Sequence, residues 1–263
     1  MNEPSLAPDG IHQIREIAPK TYQIDEGGIV NVYLLLGETS GLVIDSGIGA
    51  GDIGSTLKSL TSLPLTLVAT HKHCDHVGGR KAFASCLVER HDRGFACAFL
   101  GSHFAGKLLL KLGHVKMPWG KLKEKGKFVY FSAGKSFDLG GRVIRTLLIP
   151  GHTKGSIALL DEGNHLLFSG DDVNPYLWLQ LPHSTTLSIW LMGAKKVEEL
   201  AKTYTVYGGH KKEPITSQEI SDLIALAEKM LLLKPYHVYK HRIFEFPAGR
   251  NAPRIRIGPK QFH

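Results

Sequence analysis

Short apolar runs, broken at close intervals by Gly, Pro, Asn and Asp, recur along most of this chain and predict many strands with a few helices between them. After a polar opening tail, Thr21–Ile24 reads as an edge strand, and Ile29–Leu36 and Gly41–Ile44 flank Gly37-Glu38-Thr39-Ser40 as a hairpin. Asp52–Leu60 carries the period of a helix, Pro64 breaks it, and Leu65–Ala69 returns as a strand. Gly79–Ala84 reads as a second helix and Cys86–Glu89 as the next strand. Further on, Phe128–Ser132, Ser136–Leu139, Arg142–Ile149, Ser156–Asp161 and His165–Ser169 read as strands separated by turn residues. Thr185–Tyr204 is a predicted helix with Leu187, Leu191, Val197 and Leu200 apolar, followed by a short strand at Thr205–Tyr207. Thr216 and Glu219 form a capping box that opens a last helix reaching about Leu233. Tyr236–Ile257 alternates enough for a terminal strand pair turning at Pro247–Ala252.

At 263 residues, with no internal repeat and no linker-like stretch, the chain is expected to form a single domain, 1–263. Neither end carries a leader signal and no apolar run reaches membrane-spanning length, so no membrane partner is expected. The three cysteines, Cys74, Cys86 and Cys97, form no disulfide framework, which points to the cytoplasm. The formal charge of +8 gathers in Lys107, Lys111, Lys116, Lys121, Lys123, Lys125 and Lys127. These lie in an irregular insertion at about 92–127, read as a helix over Phe95–Leu112 and a basic loop that would cover the site as a lid. Such a segment is a solvated face or an attractor of anions. No basic motif interleaved with aromatics supports RNA binding, so a nucleic-acid partner is not expected.

The chemistry concentrates in Thr70-His71-Lys72-His73-Cys74-Asp75-His76-Val77-Gly78-Gly79, on the loop leaving a strand. Alternate side chains of an extended backbone point the same way, so His71 and His73 can share one metal. Asp75 and His76 follow after the chain turns and could face a second. Imidazoles with carboxylates are nitrogen and oxygen donors that suit zinc, with iron or manganese also accommodated. Asp45, at the end of a neighbouring strand, would orient a ligand histidine or cap the next helix. Three more signatures fall at strand ends: Pro150-Gly151-His152-Thr153-Lys154-Gly155-Ser156, Ser169-Gly170-Asp171-Asp172, and Gly208-Gly209-His210.

In this order and context the residues closely resemble the metallo-β-lactamase superfamily, over about residues 20 to 215. The resemblance implies an α/β fold, a four-layer αββα sandwich with a dinuclear site. It further implies that His71, His73 and His152 bind one metal, that Asp75, His76 and His210 bind the other, and that Asp171 bridges them. Two Zn2+ ions sharing a water would lower its pKa and supply the nucleophile, with Asp75 aiming it. Relatives with β-lactamase activity usually carry Cys or Ser where Asp171 stands. The bridging aspartate resembles instead the hydroxyacylglutathione hydrolases, acyl thioesterases, lactonases and nucleases. The expected activity is hydrolysis of a small-molecule thioester, ester or lactone; the alternatives are a nucleic-acid phosphodiesterase and a β-lactamase. Tyr176, Trp178 and His183, just after the aspartate, are candidate substrate contacts, the aromatics and nearby leucines walling an apolar pocket or else packing the next helix. Nothing in the sequence sets the oligomeric state.

Overall fold

In a computed structural model the described residues are 3–94, 126–233, 244–247 and 253–261. The predicted lid helix and most of the basic insertion, at 95–125, lie outside them. The chain divides into two compact units, Met1–Ile144 and Arg145–His263.

The first unit is built on a mixed sheet whose strands lie in chain order, β1 (Ser5–Leu6), β2 (His12–Ala18), β3 (Thr21–Glu26), β4 (Val30–Leu36), β5 (Gly41–Ile44), β6 (Leu65–Val68), β7 (Ser85–Glu89) and β8 (Lys127–Phe131). β1 to β5 form an antiparallel meander, and from β5 onward the pairing is parallel. The opening stretch is therefore not a tail, and Thr21–Ile24 is not at an edge. β2 escapes an apolar-pattern reading because polar cross-strand and turn contacts hold it: Arg15 donates to Gln23 at 2.7 Å, and Asp9 accepts from the backbone N–H of Ile11 and His12. β4 is buried along its whole length, as a strand covered on both faces must be.

Helix α1 (Ile53–Leu60) links the parallel neighbours β5 and β6 and starts where the Asp52 carboxylate accepts from the Ser55 N–H at 3.1 Å. Asp52, not Asp45, is thus the cap. The predicted helix at Gly79–Ala84 is a single 3-10 turn, Arg80–Ala82. Ile24, Leu34, Val43, Leu67, Cys86 and Val88 join Ile53 and Leu57 in one core. Each large aliphatic side chain fully buried there contributes roughly 1.5–3 kcal/mol. Burial pushes the Cys86 thiol up to about 12, so it packs as a small apolar group. After β8 the unit continues through β9 (Ser136–Asp138).

The second unit carries most of β10 (Val143–Leu148), then β11 (Ile157–Asp161), β12 (Leu166–Gly170), β13 (Tyr176–Leu179) and β14 (Thr205–Gly208), with neighbours in the order β14-β12-β11-β10. β13 belongs to a second, smaller sheet with β15 (Phe244–Pro247) and β16 (Arg254–Ile257), in the order β13-β16-β15. Two helices, written α3 (Leu187–Leu200) and α4 (Ser217–Leu233) once the short helix α2 (Cys74–Val77) of the first unit is counted, pack on this sheet system. Trp190, Ala194 and Val197 of α3 meet Ile220, Leu223 and Ala227 of α4, together with Leu167, Val206, Leu177, Leu179, Ile255 and Ile257. The capping box forms as expected: Glu219 accepts from the Thr216 N–H at 2.8 Å, and Thr216 Oγ1 accepts from the Glu219 N–H at 3.2 Å.

Candidate metal centre

β6 ends at Val68, and the chain runs from its carboxyl end into α2, the position where open α/β sheets hold their ligands. His71 and His73 stand on the extended stretch between. Lys72 points elsewhere: its N–H donates to Asp92 Oδ2 at 3.0 Å and its ammonium to the Tyr130 hydroxyl at 3.0 Å, which pins the loop from the far side. His71, His73 and His76 are all buried, with ring centroids 4.6 Å apart for the first two and 4.1 Å for His71 and His76. Asp75 Oδ2 lies 3.8 Å from His76 Nε2.

The next layer of contacts shows how those rings are held. Asp45 follows β5 with φ +63°, a left-handed conformation that Asp tolerates better than most residues. Its carboxylate accepts from the Thr70 N–H at 2.7 Å, from Thr70 Oγ1 at 2.9 Å and from His76 Nδ1 at 2.8 Å. The His76 proton is thereby fixed on Nδ1, and Nε2 presents its lone pair. Glu26, at the end of β3, accepts from the backbone N–H groups of Ile48, Ala50 and Gly51 at 2.6, 2.6 and 3.0 Å. That loop in turn holds α2, since Ser46 N–H donates to the His76 carbonyl at 2.8 Å and Gly78 N–H to the Gly47 carbonyl at 2.8 Å. Gly47 has φ +71°, and a Cβ there would lie 2.0 Å from Glu26 Oε2, so only glycine fits. Glu26 was invisible to sequence reasoning because an acid before Gly27-Gly28 looks like turn punctuation.

In the second unit β10 feeds the turn around His152. Its N–H donates to Asp172 Oδ1 at 2.7 Å, and its Nδ1 donates to the Trp178 carbonyl at 2.7 Å, which keeps the ring proton on Nδ1 and turns Nε2 toward Asp171 Oδ2. Ser184 Oγ donates to the His152 carbonyl at 2.8 Å, and the Lys154 N–H to the His183 carbonyl at 3.1 Å. His183 thus contributes its backbone to the turn. Burial drives the Asp172 carboxyl well above the usual carboxylate range, and the neighbouring Asp171 charge adds to the rise. Asp172 was missed beside the more familiar Asp171, although an Asp-Asp pair leaving a buried strand hints that one of them turns inward.

A register shift in the β12–β14 pairing after Phe168, with Gly170 at φ +55°, re-aims the chain at Asp171. Asp171 Oδ2 stands 3.0 Å from His210 Nε2 and 3.6 Å from His152 Nε2, so one carboxylate oxygen serves both rings. The expected apolar wall after it divides by strand alternation. Leu177 and Leu179 enter the core, while Tyr176 and Trp178 keep 61% and 45% of their surface exposed.

These donors fit a divalent cation. Zinc binds imidazole nitrogen at about 2.0–2.1 Å, which sets two such nitrogens roughly 3.3 Å apart around a tetrahedral centre. His71 Nε2 and His73 Nδ1 stand 3.0 Å apart. In each unit, candidate ligand atoms converge within 4.8 Å: His71 with His73, Asp75 with His76, and Asp171 with His210.

Residues 25–210 match the family profile of the metallo-beta-lactamase superfamily. The chain belongs to that superfamily. An acyl-coenzyme A thioesterase, MBLAC2 of Gallus gallus, is 29% identical over 194 residues, 67% of this chain and 69% of the relative. A hydroxyacylglutathione hydrolase of Synechococcus is 33% identical over 118 residues, covering 44% of this chain and 38% of its own length. Among solved structures, an archaeal metallo-beta-lactamase superfamily protein from Sulfolobus tokodaii superposes with a TM-score of 0.56 at 22% identity, over 83% of this chain and 84% of that one. The chain spans about two thirds of the thioesterase relatives' length. The expected α/β fold is thus the metallo-beta-lactamase fold, and the expectation of a hydrolase agrees with what these relatives are named for.

The turn holding His152 is tight enough to test. A methyl group on Gly151 would lie 2.3 Å from Trp190 Cδ1 and 2.5 Å from Asp172 Oδ1, both fixed by the Trp190 Nε1–H bond of 2.7 Å to the Asp172 carbonyl. Gly151→Ala should therefore cost about 1–3 kcal/mol in urea unfolding and lower bound metal, because relief of the clash swings His152 off its carbonyl partner. Unchanged unfolding and full metal content would contradict this account of the turn.

Proposed function

We propose that this member of the superfamily is a zinc-dependent hydrolase of acyl thioesters. In this reading His71 and His73 share one cation with His152, Asp75 and His76 share a second with His210, and Asp171 bridges the pair. The observation that carries it is the position of Asp171 Oδ2 between the His152 and His210 nitrogens. An aspartate serving both suits the branch of the family that contains thioesterases, and the relatives named for acyl-coenzyme A and hydroxyacylglutathione hydrolysis support the bond type.

When bound, the cations would polarise the thioester carbonyl and acidify a water. The chain's own part is positional. Asp45 and the Trp178 carbonyl keep the protons of His76 and His152 on Nδ1, so both rings offer Nε2. Asp75 is partly exposed and carries a carboxylate oxygen able to accept the proton of an attacking water and orient it. The thiolate leaving group is weakly basic, so departure needs little help from an acid.

The test is a substrate panel on purified zinc-loaded protein: an acyl-coenzyme A, a glutathione thioester, a lactone, a β-lactam and a phosphodiester. Saturable hydrolysis of a thioester is expected, in preference to the rest. Turnover confined to the lactone, the β-lactam or the phosphodiester would overturn the reading.

A further inference from the structure

The smaller sheet of the second unit presents an outer face whose chemistry is unlike that of an acyl-chain pocket. β13 and β16 pair in parallel, with Tyr176 opposite Arg254 and Trp178 opposite Arg256, so these four residues share one face, and the register of β15 sets Glu245 opposite Arg256 on its far side from Trp178. The alternate residues Leu177, Leu179, Ile255 and Ile257 are all fully buried on the other. The Arg256 guanidinium lies 5.6 Å from the centre of the Trp178 ring. Even so, about half of each aromatic side chain remains in contact with water. Two exposed aromatic rings beside two guanidinium groups match a ligand that is planar at one end and multiply anionic at the other. This face is anchored to the candidate metal centre, because the carbonyl of Trp178 itself accepts the His152 Nδ1 proton at 2.7 Å.

Resting on the thioesterase reading above, we infer that the Tyr176–Trp178–Arg254–Arg256 face binds the phosphorylated adenosine end of a coenzyme A-type leaving group. The adenine stacks on the aromatics, and the phosphates meet the two arginines. Base-on-aromatic stacking tolerates different ring orientations, and arginine recognises phosphate through paired N–H donors. An acyl chain would gain nothing from two guanidinium groups. The anion-and-ring chemistry is what separates a coenzyme A thioester from a simple thioester carrying the same acyl group.

Binding of adenosine 3′,5′-bisphosphate, measured by calorimetry and by quenching of tryptophan fluorescence, tests the face without requiring turnover. Wild type should bind it saturably, and Trp178→Ala and Arg256→Glu should each weaken binding at least about tenfold, the value of one lost ionic contact near 1.4 kcal/mol. Arg256→Glu leaves β13 and its Trp178 carbonyl untouched, so its metal content should match wild type. Arg256→Gln serves where either variant fails to fold. In the same proteins the ratio of kcat/KM for acetyl-coenzyme A to that for the acetyl thioester of N-acetylcysteamine should fall about tenfold. An unchanged ratio, with nucleotide binding absent or indifferent to the substitutions, overturns the inference while leaving a thioesterase. Nucleotide binding lost in the variants of a protein that cleaves no thioester supports the face and overturns the thioesterase reading instead.

Discussion

Asp171→Asn should lower thioester turnover about a thousandfold, the scale on which removal of one group stabilising charge at a reaction centre acts. The carboxylate oxygen that reaches both His152 and His210 in the second unit becomes half of a neutral amide. An amide has one acceptor oxygen and a nitrogen that donates, so it cannot serve two cations. Elemental analysis should find metal lost together with activity. The fold should survive, because Asp171 is not among the core residues and its backbone is set by the β12–β14 register shift. Circular dichroism and the urea midpoint would establish that. A variant that kept full metal and near-normal turnover would remove Asp171 from the centre.

What could be read in the sequence divides along physical lines. The candidate ligand positions stand out in the sequence because imidazoles and carboxylates at strand ends are costly unless something binds them, and four such turns in one chain are hard to explain otherwise. β4, β5 and β6 were legible because buried central strands are continuous apolar runs. β2 was not, because Ile14 is its one buried hydrophobic residue, and the partner of a polar side chain such as Arg15 lies on the next strand, at Gln23. The same blindness hid Glu26. Its role is to fill a cup of backbone N–H groups about two dozen residues away, and no local pattern encodes that. Asp172 was hidden by its neighbour. Tyr176 and Trp178 read in the sequence as an apolar wall, and only the β13–β16 register shows that arginines stand beside them.

The case of Asp45 carries the second large effect, since two substitutions there should separate folding from metal binding. Asp45→Ala removes the acceptor of the buried Thr70 N–H and of His76 Nδ1, and it places a residue with no local hydrogen bond at φ +63°. Leaving two buried donors unpaired should cost about 3–5 kcal/mol, read as a fall in the urea midpoint with unchanged slope. Asp45→Asn should behave differently. The Thr70 backbone can only donate, so the amide oxygen must face it, and the amide nitrogen then points at His76. His76 can meet a donor only by giving up its Nδ1 proton, which moves to Nε2 and occupies the lone pair that a cation needs. Asp45→Asn is thus expected to fold with most of its stability, yet to bind metal about 10–100-fold more weakly, the range for loss of a partner that orients a ligand. Competition with a chelator of known affinity measures this directly. If Asp45→Asn held metal as tightly as the wild type, the proton on His76 would not be under the control of Asp45, and the reason for burying a carboxylate at a left-handed strand end would have to be sought in the fold alone.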